Sequence, residues 1–76
     1  MHWQIKKIIN VAQELRRTGR TGASTSECIA AAFALDQMAY LPPDYEIIEA
    51  WDRLDEAQKQ AVRVVRRDYK HLLEVG

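Results

Sequence analysis

The sequence STSECIAAAFALDQMAYL, residues 24–41, is the most apolar stretch of the chain, and we interpret the other segments relative to it. It contains eight consecutive apolar residues, 28–35, of which four are alanine. Alanine favours helices, and the run has too few β-branched residues for a buried strand. The stretch therefore predicts a central helix that is buried on most of its circumference.

Both ends of this central helix are marked in the sequence. Ser24 and Glu27 have the spacing of a capping box, in which two side chains accept hydrogen bonds from free amides of the first turn. Pro42 and Pro43 cannot continue a helix, so the predicted central helix spans residues 25–40. Charged residues interrupt the apolar run, which argues against a membrane-spanning segment.

Composition restricts the class of protein and the chemistry available to it. The chain has 76 residues, 47% of them hydrophobic and 29% charged, which is typical of one small globular domain, residues 1–76. Its single cysteine, Cys28, excludes an intramolecular disulfide and is expected to be a small buried hydrophobe. The sequence contains no motif typical of hydrolases, metalloproteases or nucleotide-binding enzymes. We therefore predict no catalytic site, no metal site and no cofactor.

Opposite charges are segregated along the chain, although the formal net charge is zero. Residues 1–20 carry a net charge of +4, residues 21–58 carry −7, and residues 59–76 carry +3. Two basic ends around an acidic middle favour polar self-complementarity over a simple binder of polyanions. The N-terminus has no continuous apolar run of the kind found in signal peptides, and we therefore expect a cytoplasmic protein.

Helix 1 is predicted for residues 2–18, because apolar residues recur there at helical spacing on one face. Gly19 is well placed to end it. Trp3 does not fit this pattern, since it lies on the polar side of the helix. Either the helix begins after Trp3 and the indole folds back over the core, which we favour, or Trp3 is an exposed anchor for a partner.

Helix 3 is predicted for residues 45–53, with Asp44 as its N-cap or first-turn acid. The residues that share its apolar face, and are expected to point towards the core, are Ile47, Ile48, Trp51 and Leu54. The opposite face carries a row of carboxylates three residues apart: Glu46, Glu49 and Asp52. Like charges at this spacing repel one another, so the row is either solvated or meets bases elsewhere.

Helix 4 is predicted for residues 56–73, and Asp55 with Gln58 again has the spacing of a capping box. On the side away from its apolar stripe, five bases form what we call the basic face: Lys59, Arg63, Arg66, Arg67 and Lys70. The basic face is either solvated or contacts an acidic protein surface. That surface would belong to a different protein or to the acidic row of a second copy of the chain.

Two carboxylates are out of place, because Asp36 and Asp68 lie among the apolar residues of their helices. A buried carboxylate without a partner is costly, so we expect each of them to be paired. Arg16, at the rim of the apolar face of helix 1, is the obvious candidate partner for one of them.

These patterns together predict an all-α, single-domain arrangement of four helices around the central helix. The residues at the middle of each apolar arc predict the core, which comprises Ile8, Ala12, Leu15, Ile29, Phe33, Ile48, Trp51, Val65 and Leu72.

The function that this pattern favours is a small cytoplasmic protein-interaction module, a regulator or inhibitor that occupies the surface of its partner. A short chain of this kind would also suit a phage or mobile-element genome. The candidate interaction surface comprises Lys59, Arg63, Arg66, Arg67, Lys70, Glu46, Glu49, Asp52 and Trp3. The alternative is a nucleic-acid-binding accessory protein that uses the basic face. A helix-turn-helix with helix 3 in the groove is disfavoured, because its carboxylates would repel phosphate.

Overall fold

The fold consists of α-helices and one short 3₁₀ helix, which confirms the predicted all-α class. A computed structural model describes residues 2–73, and no β-strand occurs within them. The α-helices are α1 (Trp3–Thr18), α2 (Thr25–Leu35), α3 (Ile47–Arg53), α4 (Glu56–Asp68) and α5 (Lys70–Leu73), and a 3₁₀ helix lies at Met38–Tyr40. The described part of the chain thus has five α-helices instead of four, because the predicted helix 4 is divided in two.

The predicted central helix, α2, lies at the centre of the packing. All seven residues from Ile29 to Leu35 are buried, so every side of this part of the helix is covered. The first and fourth helices pack against α2 and against each other, α3 covers part of α2, and α5 packs mainly against α1. Three of the buried residues are Ala30, Ala31 and Ala34, whose small side chains let neighbouring helices approach closely. Within residues 2–73, no helix combines the length and hydrophobicity needed to cross a bilayer.

Helix α1 begins and ends within one residue of the prediction. His2 is its N-cap, and the imidazole Nδ1 accepts a hydrogen bond from the backbone N–H of Gln4 at 3.2 Å. Gly19 follows in the left-handed conformation with φ of 79°, and its N–H donates to the Leu15 carbonyl at 2.7 Å. Glycine has no Cβ to clash in this conformation, which is why the helix ends here.

The start of α2 is the predicted capping box. The Glu27 N–H donates to the Ser24 hydroxyl at 3.2 Å, and the Ser24 N–H donates to the Glu27 carboxylate at 3.0 Å. The second predicted capping box, at the start of α4, is also confirmed. There the Gln58 N–H donates to Asp55 at 2.7 Å, and the Asp55 N–H donates to the Gln58 side chain at 3.1 Å.

The end of α2 was predicted too late, because the helix stops at Leu35 and does not reach residue 40. Asp36 adopts the left-handed conformation with φ of 57°, and its N–H donates to the Phe33 carbonyl at 3.1 Å. The next N–H, that of Gln37, donates to the Ala32 carbonyl at 3.1 Å. This pair of bonds is a Schellman motif, in which the last carbonyls of a helix are satisfied by the turn that follows.

The C-terminal helix is interrupted at Tyr69, where φ and ψ are −125° and 13°. The short helix α5 then changes direction and packs against α1, and the Gln13 side-chain amide donates to the Leu72 carbonyl at 3.0 Å. Leu73, the last described residue, is buried. The break therefore brings the end of the apolar stripe onto the core.

Most of the predicted core is confirmed. Six of the nine residues are buried: Ile8, Ala12, Leu15, Ile29, Phe33 and Val65. Trp51 and Leu72 are partly buried and pack against them. The ninth residue, Ile48, was predicted wrongly, because its side chain is 76% exposed.

Candidate interaction surface

Helix α3 presents two isoleucines to solvent, where the sequence predicts an inward apolar face. Ile47 and Ile48 are 53% and 76% exposed. The helix packs instead through Ala50 and Leu54, which are both buried. Because Ala50 has a small side chain, it lets α3 lie close to α2 and turns the isoleucines away from the core. Helix α3 and its C-cap therefore bury Ala50 and Leu54 in the core and expose Ile47 and Ile48 to solvent.

Trp51 connects α3 to the rest of the fold. It is partly buried, and its ring meets Phe33 edge to face with the ring centroids 5.0 Å apart. The outer side of the ring is covered by two cations from α4, with Lys59 Nζ 5.9 Å and Arg63 Cζ 5.7 Å from the ring centroid. Such cation–π contacts contribute roughly 0.5–1 kcal/mol each at exposed sites. The prediction that Trp51 lies at or near the core is thus confirmed.

The acidic row of α3 is exposed along its length. Glu46, Glu49 and Asp52 are all in contact with solvent. None of the three forms an ion pair with any Lys or Arg among residues 2–73. Glu46 occupies the N-cap position in place of Asp44, and its side chain makes no capping hydrogen bond. We define the α3 face as these three carboxylates together with Ile47 and Ile48.

Three of the five bases on the basic face of α4 already pair with carboxylates of the same chain, which the sequence did not predict. Lys59 is 3.7 Å from Glu56, and its side chain is only 16% exposed. Arg66 Nη2 is 3.9 Å from Asp36 Oδ1, and Arg66 Nη1 donates to the Phe33 carbonyl at 3.4 Å. Arg67 donates two hydrogen bonds of 3.1 Å to the Asp68 carboxylate.

These pairs change the charge balance that was expected for the basic face. From the sequence, only Glu74 lies among the five bases, and that residue falls outside the described part of the chain. In the folded chain, carboxylates from α4 and from the end of α2 are close enough to relieve their repulsion. The hydrogen bonds from Arg67 also lower the pKa of Asp68 and raise that of Arg67 relative to their ordinary values.

The two carboxylates that were expected to be buried are exposed, so the reason given for their pairing was wrong. The side chain of Asp36 is 66% exposed, because the left-handed turn after α2 points it outward. Its nearest base is Arg66 and not the predicted Arg16. Asp68 pairs with the adjacent Arg67 on the surface of α4.

Trp3 is exposed, and the arrangement that we favoured from the sequence is wrong. It is the first residue of α1, its side chain is 67% exposed, and its ring stacks on that of His2 at 6.1 Å. The helix does not begin after it, so the indole has no route back over the core. Its use as an anchor for a partner stays a prediction.

Cys28 is partly buried, close to the prediction of a small buried hydrophobe. Its thiol donates to the Tyr40 carbonyl at 3.5 Å, and burial raises the pKa of the thiol. A raised pKa keeps the thiol protonated at neutral pH, which makes it a poor nucleophile. Within residues 2–73, no group of three or more His, Cys, Asp or Glu side chains is arranged to hold a metal ion.

The two helices α3 and α4 also enclose a shallow groove, which we call the α3–α4 groove. It has a volume of about 460 Å³, and its lining residues are Trp51, Val62, Arg63, Arg66 and Arg67. The groove thus has an apolar floor and three guanidinium groups around it.

No protein-family model, curated protein or solved structure matches this chain.

Proposed function

We propose that this chain is a small protein-interaction module that binds its partner through the α3 face. The observation that carries the proposal is the pair of exposed isoleucines, Ile47 and Ile48, beside three carboxylates that form no ion pair within the described residues. Fully burying one isoleucine side chain contributes roughly 1.5–3 kcal/mol, so covering this pair supplies a substantial driving force.

The composition of the α3 face indicates the chemistry of the partner. Protein interfaces commonly have an apolar centre and a polar rim. A complementary partner surface would offer an apolar pocket for the isoleucines and bases for Glu46, Glu49 and Asp52. Electrostatic complementarity of this kind mainly sets specificity and the rate of association. The module acts by occupying that surface, as a regulator or inhibitor does, and we expect it to do so in the cytoplasm.

The alternative is nucleic-acid binding by the basic face. The α3–α4 groove favours it to some extent, since an aromatic ring beside arginines is a combination that stacks on bases and neutralises phosphates. Three of the five bases already pair with carboxylates, however, and the formal net charge of the chain is zero. Nucleic-acid-binding domains usually have a net positive charge. Protein binding is therefore the better-supported proposal.

The test is affinity capture from cells of the natural source with three forms of the protein. Wild type is compared with the double variant Ile47→Asp with Ile48→Asp, and with Lys6→Glu with Lys7→Glu as a matched control at two adjacent exposed residues of α1. A protein that is lost only with the isoleucine variant is then purified, and its binding is measured directly by calorimetry. We expect binding by wild type and by the lysine variant, and at least tenfold weaker binding by the isoleucine variant, a difference of about 1.4 kcal/mol.

Two results would contradict this proposal. Equal binding by all three forms would mean that the α3 face does not contact the partner. Recovery of nucleic acid that is lost with Arg63→Glu and Arg67→Glu, and whose retention falls steeply with salt, would establish the alternative.

A further inference from the structure

We infer that the partner of the α3 face is a second copy of this chain, placed by a twofold axis so that each α3 face meets the α3–α4 groove of the other copy. This inference rests on the proposed function, because it names the partner of the same surface. It is argued from the order of charges across α3 and α4, from symmetry and from the area available.

The surface of α3 and α4 is ordered from basic to apolar to acidic. Trp51 lies between the two helices, with Arg63 over its ring. Ile47 and Ile48 precede Trp51 by four and three residues, the spacings at which helix side chains are neighbours. The carboxylates of the α3 face neighbour these isoleucines along the helix, and among residues 2–73 none of them forms an ion pair with Arg63 or Arg67. The apolar residues therefore lie between the arginines beside Trp51 and the three carboxylates of α3, and Arg53, the last residue of that helix, is the base on the acidic side.

A surface with this order is complementary to itself. In a twofold dimer, the same patch is used by both subunits, and a contact from residue i to residue j occurs twice. An axis through the apolar centre brings the isoleucines of each copy onto Trp51 of the other. It also places Glu49 and Asp52 of each copy opposite Arg63 of the other, which forms no ion pair among the described residues, and near Arg67, which also pairs with Asp68 of its own copy. A chain of zero net charge with segregated signs satisfies both contacts at once.

The available area predicts a weak dimer. A standard interface buries about 800 Å² on each partner, which is about one sixth of the 4835 Å² that this chain exposes. Two adjacent helices, of which α4 has 13 residues and is therefore about 20 Å long, offer less than this. We expect a dissociation constant on the order of 100 µM, which is typical of small interfaces.

The experiment is sedimentation equilibrium of the full chain at concentrations up to about ten times that dissociation constant, combined with an exchange of charges. One variant carries Glu49→Lys and Asp52→Lys, so that bases would face bases. The other carries Arg63→Glu and Arg67→Glu, so that acids would face acids. The control carries Lys6→Glu and Lys7→Glu on α1, where both lysines are exposed. Circular dichroism of each variant checks that it is folded.

We expect wild type and the control to form dimers, and each charge variant alone to associate at least tenfold more weakly. An equimolar mixture of the two charge variants should dimerise again, because both pairs of contacts then join opposite charges. Recovery in the mixture also proves that each variant retains the folded surface. Raising the salt concentration should weaken the wild-type dimer, since its rim charges are exposed.

Three results would overturn the inference. Wild type that stays monomeric at the highest concentration removes the second copy as partner. A mixture that stays monomeric although wild type dimerises, or a control that loses association, assigns dimerisation to another surface. None of these results affects the proposed function, which is tested separately by the capture and calorimetry experiments with the isoleucine variant.

Discussion

Substitutions at Asp36 separate the contribution of a backbone conformation from that of a charge. A left-handed φ such as its 57° costs an ordinary L-residue roughly 1–2 kcal/mol, although aspartate tolerates it better than most. Its carboxylate is exposed and lies 3.9 Å from Arg66, and exposed ion pairs contribute only about 0–1 kcal/mol. The backbone should therefore decide which residues are accepted at this position.

Three variants give different expectations for the free energy of unfolding. Asp36→Gly relieves the backbone and loses only the ion pair, but its unfolded state has more entropy, so we expect a change within about 0.5 kcal/mol. Asp36→Asn keeps a residue that enters this conformation and should also lie within about 0.5 kcal/mol of wild type. Asp36→Ala loses the ion pair and introduces backbone strain, and should be destabilised by about 1–2 kcal/mol.

The assay is unfolding by urea, followed by far-ultraviolet circular dichroism. For a small protein with a denaturant slope near 1 kcal/mol/M, the midpoint of Asp36→Ala should fall by about 1–2 M, and those of the other two variants should stay close to wild type. Arg66→Gln is the control for the charge, because it keeps residue 36 unchanged while it removes the ion pair and the hydrogen bond from Arg66 to the Phe33 carbonyl. Glycine and asparagine variants as unstable as the alanine variant would refute the reasoning and show that the carboxylate holds the end of α2.

Two further predictions concern the core and the surface of α4. Phe33 is 8% exposed and contacts Trp51, so Phe33→Ala should lower the free energy of unfolding by about 3–5 kcal/mol in the same assay. A loss below about 1 kcal/mol would mean that the ring is not in the core. Arg67 lowers the folded-state pKa of Asp68, so the pair stabilises the fold at neutral pH and this contribution is lost as the pH falls through that pKa. Arg67→Gln should therefore raise the pKa of Asp68 in a carboxyl NMR titration, whereas Lys6→Gln should not, and equal titrations in both variants would disprove the pairing.

The sequence predicted the parts of the fold that are determined by residues close to one another in the chain. The capping boxes at Ser24 and Asp55 each need only two side chains at a fixed spacing, and both were found where the pattern placed them. The run of buried residues in α2 was predictable because no face of that segment is polar enough to meet water. In both cases the decisive contacts lie within a few residues of one another.

The sequence did not predict the places where the chain changes direction without glycine or proline. Asp36 ends α2 in a left-handed conformation that glycine usually adopts. Because the apolar pattern continues to Leu41, it did not indicate that the helix ends at Leu35. Likewise, no strong helix breaker marks the interruption at Tyr69. These ends depend on how the neighbouring segments pack, which a single helical wheel does not contain.

For the candidate interaction surface, the sequence predicted the charged residues but not the exposed isoleucines. The acidic row and the basic face follow from charge spacing alone. The exposure of Ile48 depends on which residue of α3 is closest to α2, and a wheel weighted by hydrophobicity favours isoleucine over Ala50. The pair between Arg66 and Asp36 depends on the left-handed turn after α2, which brings the end of that helix next to α4.

The position of Trp51 between two helices gives the protein an internal optical reporter. Indole emission responds to nearby charges and to the amount of water around the ring, and this ring lies under Lys59 and Arg63 and against Phe33. A partner that binds over α3, or that moves Lys59 or Arg63, changes that environment. The only other tryptophan, Trp3, is near the N-terminus and can be replaced by phenylalanine, which leaves Trp51 as the single tryptophan, within the proposed binding surface.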